Sequence, residues 1–365
     1  MFSCATKKMT NVSQTKLQIA DRLLNGYQSK IAFYSRFKIA NHQSQKDKFL
    51  QGKTNSPVFK YWAPKIDLGA IKESLRRVKI DQNFWPGPLL GQKKKELLLK
   101  IRIVQNRGNH RVVRILSRKL FGLPPKKIVV KANVLLKKQI GPEKNIFLSA
   151  QKANLLIARQ VLKYHLPYHV VFKKTNARVS ALQNTVRINP AAKFAKKELH
   201  SLIIHELTHA FRRENGLGQP WKIFKYGFPD YLSTEEGLAG FNEIWLAKNK
   251  NKLRLYAARV LACVLANKSG FIDVFAFLRQ NNFSPEQAWQ ITVRVKRGLG
   301  DTSQRGAFLK DWLYLAGYLR VKKYLARHKN PLALYYGKIG LSDIQKLNRF
   351  NRLKYPRYFF TYDHQ

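Results

Sequence analysis

The sequence predicts an α+β fold, in which a small sheet precedes one long helix and the C-terminal half is mostly helical. Apolar and polar residues alternate along Val179 to Leu182 and along Thr185 to Asn189, as is typical of two short strands joined by a turn. From Phe194 to Arg213 the apolar residues recur at helical spacing, and Asn215-Gly216 predicts the end of that helix. Almost everything after Glu236 has helical periodicity as well.

The long helix contains the sequence His-Glu-Leu-Thr-His at residues 205–209. In an α-helix His205 and His209 lie on one face, so both imidazoles can bind one Zn²⁺ ion. Glu206 lies beside the open coordination position, where it can act as the catalytic base. Strands followed by a metal-binding helix are the order found in zincins. We therefore predict a zincin-like metallopeptidase that holds one zinc ion per chain.

A catalytic zinc site of this kind needs a third protein ligand. Six of the 20 acidic residues lie within 38 positions, where an even spread would put about two. These six are Glu206, Glu214, Asp230, Glu235, Glu236 and Glu243. Glu236 is followed by Gly-Leu-Ala-Gly, whose small residues would let its helix approach the metal helix closely. Glu235 and Glu243 remain alternatives, because Glu243 shares a helix face with Glu236 and Glu235 precedes it by one residue.

Residues 234–239, Thr-Glu-Glu-Gly-Leu-Ala, resemble the QEGLA motif of the tyrosine carboxypeptidase family, which includes bacterial proteins and the microtubule-associated tyrosine carboxypeptidases of animals. Further segments are similar to the same family over roughly residues 55 to 345. They are Asn215-Gly216 with Gln219-Pro220, the run from Val293 to Val321, and, more weakly, Leu120-Phe121-Gly122 and Phe59-Lys60-Tyr61. The resemblance implies a zinc carboxypeptidase that removes a C-terminal aromatic residue, Tyr or Phe, with Glu236 as the third zinc ligand.

The sequence departs from the family pattern at two places. One more residue usually separates the two histidines in the family, which would need a local bulge, whereas the spacing of His205 and His209 fits a regular helix. Glu235 replaces the usual Gln, which adds a negative charge beside the metal. The second departure bears on the electrostatics of the zinc and on the preferred substrate.

A carboxypeptidase also needs a cation for the free carboxylate of its substrate, and the planar fork of Arg suits this role. The family-like Lys-Arg-Gly segment makes Arg294, Lys296 and Arg297 our candidates, with solvated surface residues as the alternative. Asp311 and Tyr314 lie three residues apart on a predicted helix. They either orient these cations, donate to the oxyanion, or form an ordinary packing pair.

The second informative feature is charge. The chain has 69 Lys and Arg against 20 acidic residues, a formal net charge of +49. This balance favours an anionic partner, such as an acidic C-terminal peptide or protein tail, a nucleic acid or an anionic surface. The basic residues are spread along almost the whole chain and match no nucleic-acid-binding motif, so a lysine-biased proteome is an equally good explanation. The alternative functions are a zinc endopeptidase or aminopeptidase on the same site, and a basic nucleic-acid-binding protein with a vestigial zinc site.

Composition also predicts the domain organisation. Residues 1–54 are rich in Lys, Ser, Asn and Gln, and we expect them to form a basic, poorly ordered and solvated extension with some helix around Lys16 to Tyr34. Residues 55–365 are expected to form one domain, consisting of a helical part (55–148), a catalytic core (149–250), a second helical part (251–345) and a basic tail (346–365). Two cysteines are too few for a disulfide framework, which indicates a reducing, cytoplasmic location. The sequence has no run of eighteen apolar residues, so we predict no transmembrane helix.

Overall fold

The computed structural model describes residues 11–138, 146–174, 178–182, 184–328 and 330–362. The fold is mixed α and β and mostly helical, as predicted. The helices before the one that carries His205 and His209 are α1 (Asn11–Ile31), α2 (His42–Leu50), α3 (Leu68–Arg77), α4 (Gly87–Gln105), α5 (His110–Phe121), α6 (Lys126–Leu136) and α7 (Ala150–Lys163). The later ones are α8 (Lys196–Leu217), α9 (Ile223–Tyr226), α10 (Leu232–Trp245), α11 (Lys252–Ala266), α12 (Phe271–Gln280), α13 (Pro285–Lys296) and α14 (Leu313–His328). Short 3-10 helices lie at Phe33–Phe37, Leu309–Trp312, Leu332–Tyr335 and Leu341–Arg349.

The strands are short and form two small sheets. They are β1 (Phe147–Leu148), β2 (His169–Phe172), β3 (Val179–Leu182), β4 (Thr185–Ile188) and β5 (Phe194–Ala195). The predicted pair of strands is confirmed, since β3 and β4 are antiparallel neighbours with Val179 opposite Ile188. Strand β2 pairs with the other edge of β4 in parallel, and β1 pairs with β5. Strand β5 leads directly into α8, so the sheet of β1 and β5 lies at the start of the helix that carries His205 and His209.

Helix α8 extends past the predicted stop at Asn215-Gly216 and ends at Leu217. Asn215 and Gly216 pack against neighbouring segments and do not end the helix. The Asn215 side chain donates a hydrogen bond of 2.8 Å to the carbonyl oxygen of Tyr335. A Cβ atom on Gly216 would lie 2.4 Å from the carbonyl oxygen of Phe224, so only glycine allows the backbone after α8 to pass this close.

The small residues of α10 allow close packing, but against different neighbours from the one expected. A Cβ atom on Gly237 would lie 2.2 Å from the carbonyl carbon of Gly317 on α14, and one on Gly240 would lie 2.9 Å from the ring of Tyr256 on α11. These glycines therefore set the distance of α10 from α14 and α11, and not its distance from α8. The close packing against α14 and α11 fixes the helix that carries Glu236.

The N-terminal segment differs from the poorly ordered extension that composition predicted. Within residues 11–54, helix α1 buries Leu17 and Leu24 completely in the main core. The buried carboxylate of Asp21 accepts hydrogen bonds from the backbone N–H groups of Lys222 and Ile223 at the start of α9. The helix was expected around Lys16 to Tyr34, but its burial was not, because the high content of Lys, Ser and Gln predicted a solvated segment. Residues 1–10 lie outside the described residues.

The end of the chain also packs on the core up to residue 362. Phe360 is buried against Phe211 of α8, with ring centroids 4.9 Å apart. Asn215 accepts hydrogen bonds from the backbone N–H groups of Arg357 and Tyr358. This part of the expected basic tail therefore supports the C-terminal half of α8.

Among the described residues, none of the helices combines the length and apolar character needed to cross a membrane.

Candidate active site

Helices α8 and α10 bring His205, His209 and Glu236 together. The Nε2 atoms of the two imidazoles lie 3.0 Å apart. Glu236 Oε2 lies 3.7 Å from Nε2 of His205 and 3.9 Å from Nε2 of His209. Tetrahedral zinc with bonds of about 2.0–2.1 Å holds its ligand atoms about 3.3 Å apart. The three groups could therefore hold one metal ion with small side-chain adjustments, and all their candidate ligand atoms lie within 4.8 Å of one another.

A carboxylate lies beside the second nitrogen of each imidazole. His209 Nδ1 is 2.9 Å from Glu235 Oε1, and His205 Nδ1 is 3.2 Å from Glu243 Oε2. Metal-binding histidines commonly use their second nitrogen in this way, since a carboxylate fixes the tautomer and the ring orientation. Of the three acidic residues that the sequence left as alternative ligands, only Glu236 faces both Nε2 atoms. The donor set of two neutral imidazoles and one carboxylate suits zinc.

The extra negative charge of Glu235 is balanced by two cations. Arg212 is completely buried and lies 2.6 Å from Glu235 Oε2, and Lys338 Nζ lies 3.5 Å from Glu235 Oε1. Burial by itself raises the pKa of Glu235, but the charges of Lys338 and Arg212 outweigh it and hold the pKa well below its usual range. The replacement of the family's usual Gln by Glu therefore does not leave an uncompensated charge beside the metal site.

Glu243 is held in a similar way on the other side. Its carboxylate accepts hydrogen bonds from the hydroxyls of Ser201 and Tyr256, and Lys252 Nζ lies 3.0 Å away. Burial raises the pKa of Glu243, whereas the neighbouring His205 imidazole and the Lys252 ammonium lower it below the usual range. Both supporting carboxylates are thus ionised and fixed in place.

Glu236 has a cationic partner that the sequence did not reveal. Lys310, on the 3-10 helix Leu309–Trp312, is buried and places Nζ 2.7 Å from Glu236 Oε1. Oε1 therefore faces Lys310 while Oε2 faces the imidazoles. Burial raises the pKa of Glu236, but the charge of Lys310 lowers it to about 2. The one sequence signal for Lys310 was its position next to Asp311 in the family-like segment.

The predicted substrate cations are engaged elsewhere. Arg294 and Arg297 both pair with Asp311, which is completely buried. The Tyr314 hydroxyl lies 3.3 Å from Lys310 Nζ and 3.4 Å from the guanidinium of Arg294. Asp311 therefore orients the two arginines, as one alternative proposed. The group lies behind Lys310 and supports the candidate metal site indirectly, because in the described part of the chain none of these four residues lines the cavity next to His209 and Glu236.

Lys296 is also turned away from the site. Its buried ammonium donates hydrogen bonds to the backbone carbonyl groups of Ala266, Ser269 and Gln304. These bonds hold the loop after α11 and the segment after α13 together. The prediction that Lys296 faces a substrate carboxylate does not fit this position, because a family-like Lys-Arg-Gly sequence gives no information on the direction of each side chain.

A cavity of about 340 Å³ opens beside the candidate metal site. Glu206, His209 and Glu236 line it, and we call it the metal cavity. One wall is apolar and is built from Ile157, Val161, Val179, Val186 and Leu202, which belong to α7, β3, β4 and α8. The cations that line the cavity are Arg213, Lys310 and Lys338. Arg213 lies four residues after His209, so helical spacing places it on the same face of α8. Its guanidinium contacts the Tyr168 hydroxyl at 3.3 Å and Asn184 Oδ1 at 3.1 Å.

A family model described as "Microtubule-associated tyrosine carboxypeptidase" matches residues 47–361. The chain belongs to this family. A human protein named "Putative tyrosine carboxypeptidase MATCAP2" is 33% identical over 156 residues, which are 41% of this chain and 29% of that protein. A mouse protein named "Microtubule-associated tyrosine carboxypeptidase 1" is 32% identical over 166 residues, 44% of this chain and 35% of that protein. The matched region thus spans about a third of the length of these curated relatives.

Proposed function

We propose that this protein is a zinc-dependent carboxypeptidase of zincin-like fold that removes a C-terminal Tyr or Phe from a peptide or protein. The observation that carries the proposal is the convergence of His205, His209 and Glu236, with carboxylates beside both Nδ1 atoms. The relatives named as tyrosine carboxypeptidases support the same reaction. A cytoplasmic location, expected from the low cysteine content, is part of the proposal.

His205, His209 and Glu236 would hold the zinc ion. When bound, zinc would polarise the scissile carbonyl group and lower the pKa of a water molecule. Glu206 follows the first ligand in sequence and lines the same cavity, so its carboxylate is positioned to take the proton from the attacking water. The same carboxylate would then deliver the proton to the leaving amine. Glu235 and Glu243 would keep the two imidazoles in the orientation and tautomer that metal binding needs.

The free carboxylate of the substrate needs a different cation from those expected. We assign this role to Arg213, because its guanidinium lines the cavity next to His209. The guanidinium lies 3.7 Å from Glu214 and contacts the Tyr168 hydroxyl and Asn184, and helical spacing places it on the face of α8 that carries His209. The guanidinium can also bind both carboxylate oxygens at once. The apolar wall of α7, β3 and β4 would then face the last side chain, which suits an aromatic ring.

The test is mass spectrometry of a peptide library with varied C-terminal residues after incubation with zinc-loaded protein. We expect loss of a single C-terminal residue, fastest for Phe and Tyr, and no loss after treatment with a chelator. Arg213→Met should raise KM for free peptides more than Arg187→Met, a matched change on β4 at a residue that does not line the cavity. Cleavage at internal bonds would replace the carboxypeptidase proposal with an endopeptidase. Binding to RNA or DNA without any turnover would favour a nucleic-acid-binding protein.

A further inference from the structure

A second cavity of about 350 Å³ adjoins the metal cavity. Tyr34, Tyr231 and Leu232 line both cavities, so these three residues form the wall where the two meet. The second cavity lies between α4, α5, the start of α10, the start of α14 and the loop before the last 3-10 helix. The two cavities are therefore neighbours, separated by these three side chains.

The two cavities differ in chemistry. The metal cavity has the apolar wall described above, whereas charged residues and hydroxyl groups dominate the second cavity. Those groups belong to Glu96, Lys100, Asp230, Ser233, Thr234, Arg320 and Ser342. Polar groups in an enclosed site favour a ligand that can satisfy their hydrogen bonds, since an unsatisfied polar group costs free energy. The second cavity thus suits polar groups better than an apolar side chain.

Arg320 offers hydrogen-bond donors to this cavity. It lies on α14, is exposed, and donates to the hydroxyl of Ser233. Over the described ranges no carboxylate lies within ion-pair distance of its guanidinium, although the charge of Asp230 acts on it from further away. Lys100, in contrast, is paired with Glu96. A guanidinium has five N–H groups, so Arg320 has donors left for the carbonyl or side-chain oxygens of a ligand.

Tyr34 completes the shared wall from an unexpected part of the chain. It lies on the 3-10 helix Phe33–Phe37, ahead of residues 47–361 that the family model matches. The neighbouring Phe33 and Phe37 pack against Phe308 with ring centroids 6.1 and 4.7 Å away, which fixes this helix on the core. The Tyr34 ring lies 5.0 Å from Lys310 Nζ, the ammonium that pairs with Glu236. The N-terminal segment therefore reaches the candidate active site.

We infer that the second cavity binds the residues of a polypeptide substrate that precede its last residue, with Arg320 favouring a polar penultimate side chain and Tyr34 dividing the two binding positions. This inference rests on the proposed carboxypeptidase activity. If the last side chain occupies the apolar wall of the metal cavity and the scissile bond lies at the metal, the chain before that bond has to leave in another direction. The adjoining polar cavity is the described space that meets this requirement.

The test compares two peptides that differ only at the penultimate residue, Gln or Leu, before a C-terminal Phe. These side chains are similar in size, but only Gln can accept a hydrogen bond from Arg320. We expect kcat/KM to be about fivefold higher for the Gln peptide, the size of effect that one hydrogen bond to a charged group can give. Arg320→Met should bring this ratio close to one. Arg327→Met, on the same helix but outside both cavities, should leave the ratio unchanged.

Tyr34→Ala gives a second, independent measurement. Removal of the dividing ring should reduce the discrimination between Gln and Leu, whereas Tyr355→Ala at an exposed position should not. Zinc content and the thermal melting curve check that each variant is folded. Equal cleavage of both peptides by the wild type would overturn the inference, as would a change in the preference for the last residue in Arg320→Met. If the wild type shortens no peptide at all, the proposed function fails first, so the two failures can be told apart.

Discussion

The two walls of the metal cavity differ in the kind of side chain that forms them. On the side of α8 and α10, Glu235, Glu236 and Glu243 each have a cationic partner, as in the Glu235 contact with Arg212. On the side of α7, β3 and β4 the wall consists of aliphatic side chains whose contacts are not directional. The side formed by α8 and α10, which we call the charged wall, should therefore be sensitive to single-atom changes that alter the chemistry. The apolar wall should tolerate changes that keep its volume, and should control selectivity.

The strongest way to break the charged wall is to remove the base. Glu206→Gln preserves shape and should keep the metal, but it should lower kcat by about a hundred- to ten-thousand-fold, as removal of a general base typically does. Steady-state kinetics with parallel metal analysis measures both properties. Glu198→Gln, on the first turn of the same helix and paired with Arg178, is the matched control. Wild-type activity in Glu206→Gln would mean that the site is structural.

The second test separates the ligand from its supporting carboxylates. Purified protein should hold about one zinc ion per chain. Glu236→Ala should reduce zinc affinity by far more than Glu235→Ala or Glu243→Ala, because it removes a coordinate bond, whereas loss of a supporting partner typically costs about 10- to 100-fold. Competition with a chromophoric chelator measures the three affinities. Equal losses in all three variants would show that Glu236 is not the distinct third ligand.

The third test removes the support behind the charged wall. Asp311→Asn leaves Arg294 and Arg297 without their buried partner and should lower the free energy of unfolding by about 3 kcal/mol or more. The two arginines hold the pKa of Asp311 well below its ordinary value of 3.8, although burial alone would raise it. This contribution is therefore complete above about pH 4 and is lost as the pH falls further.

Denaturant unfolding at several pH values checks both statements. The wild type should lose stability below about pH 4, and Asp311→Asn should lose less over the same range, because it lacks the depressed group. Asp301→Asn, an exposed aspartate in the loop before Leu309–Trp312, is the control. If Asp311→Asn and Asp301→Asn destabilise the protein equally, the buried cluster does not support the site.

The apolar wall can be tested by introducing a charged side chain into it. Val186→Asp on β4 should lower kcat/KM for a Phe-terminated peptide by about tenfold or more, since it places a carboxylate where an aromatic ring would pack. Zinc content should be unchanged, because the charged wall is untouched. Val171→Asp on the neighbouring strand β2 lies outside the cavity and should have little effect. Loss of zinc in Val186→Asp would mean that the two walls are not independent.

The smallest expected effect comes from the net charge of +49. Replacing Glu by Gln well upstream of the last residue should weaken peptide binding at low salt, because the basic protein attracts an anionic chain. At about 0.1 M salt, charges more than about 10 Å apart are screened, so the difference should largely disappear. Titration of KM against ionic strength measures it. A salt-independent difference would indicate a direct contact in place of the overall field.

Local sequence patterns were sufficient for the parts of the site that depend on one helix or one turn. Helical spacing placed His205 and His209 on one face, and alternation located β3 and β4. Contacts between residues far apart in the sequence could not be predicted. Lys310, for example, pairs with Glu236, which is 74 residues away in sequence. Arg294 was assigned to substrate for a related reason, since its pairing with Asp311 depends on how α13 packs against the following 3-10 helix, Leu309–Trp312.

The most direct measurement uses one peptide in two forms that differ only at the C-terminus, with either a free carboxylate or an amide after Phe. We predict that zinc-loaded protein shortens the free form by one residue, as seen by mass spectrometry, and leaves the amidated form intact. Glu206→Gln should cleave neither form. Cleavage of both forms at internal bonds, at similar rates, would contradict the account and assign the site to an endopeptidase.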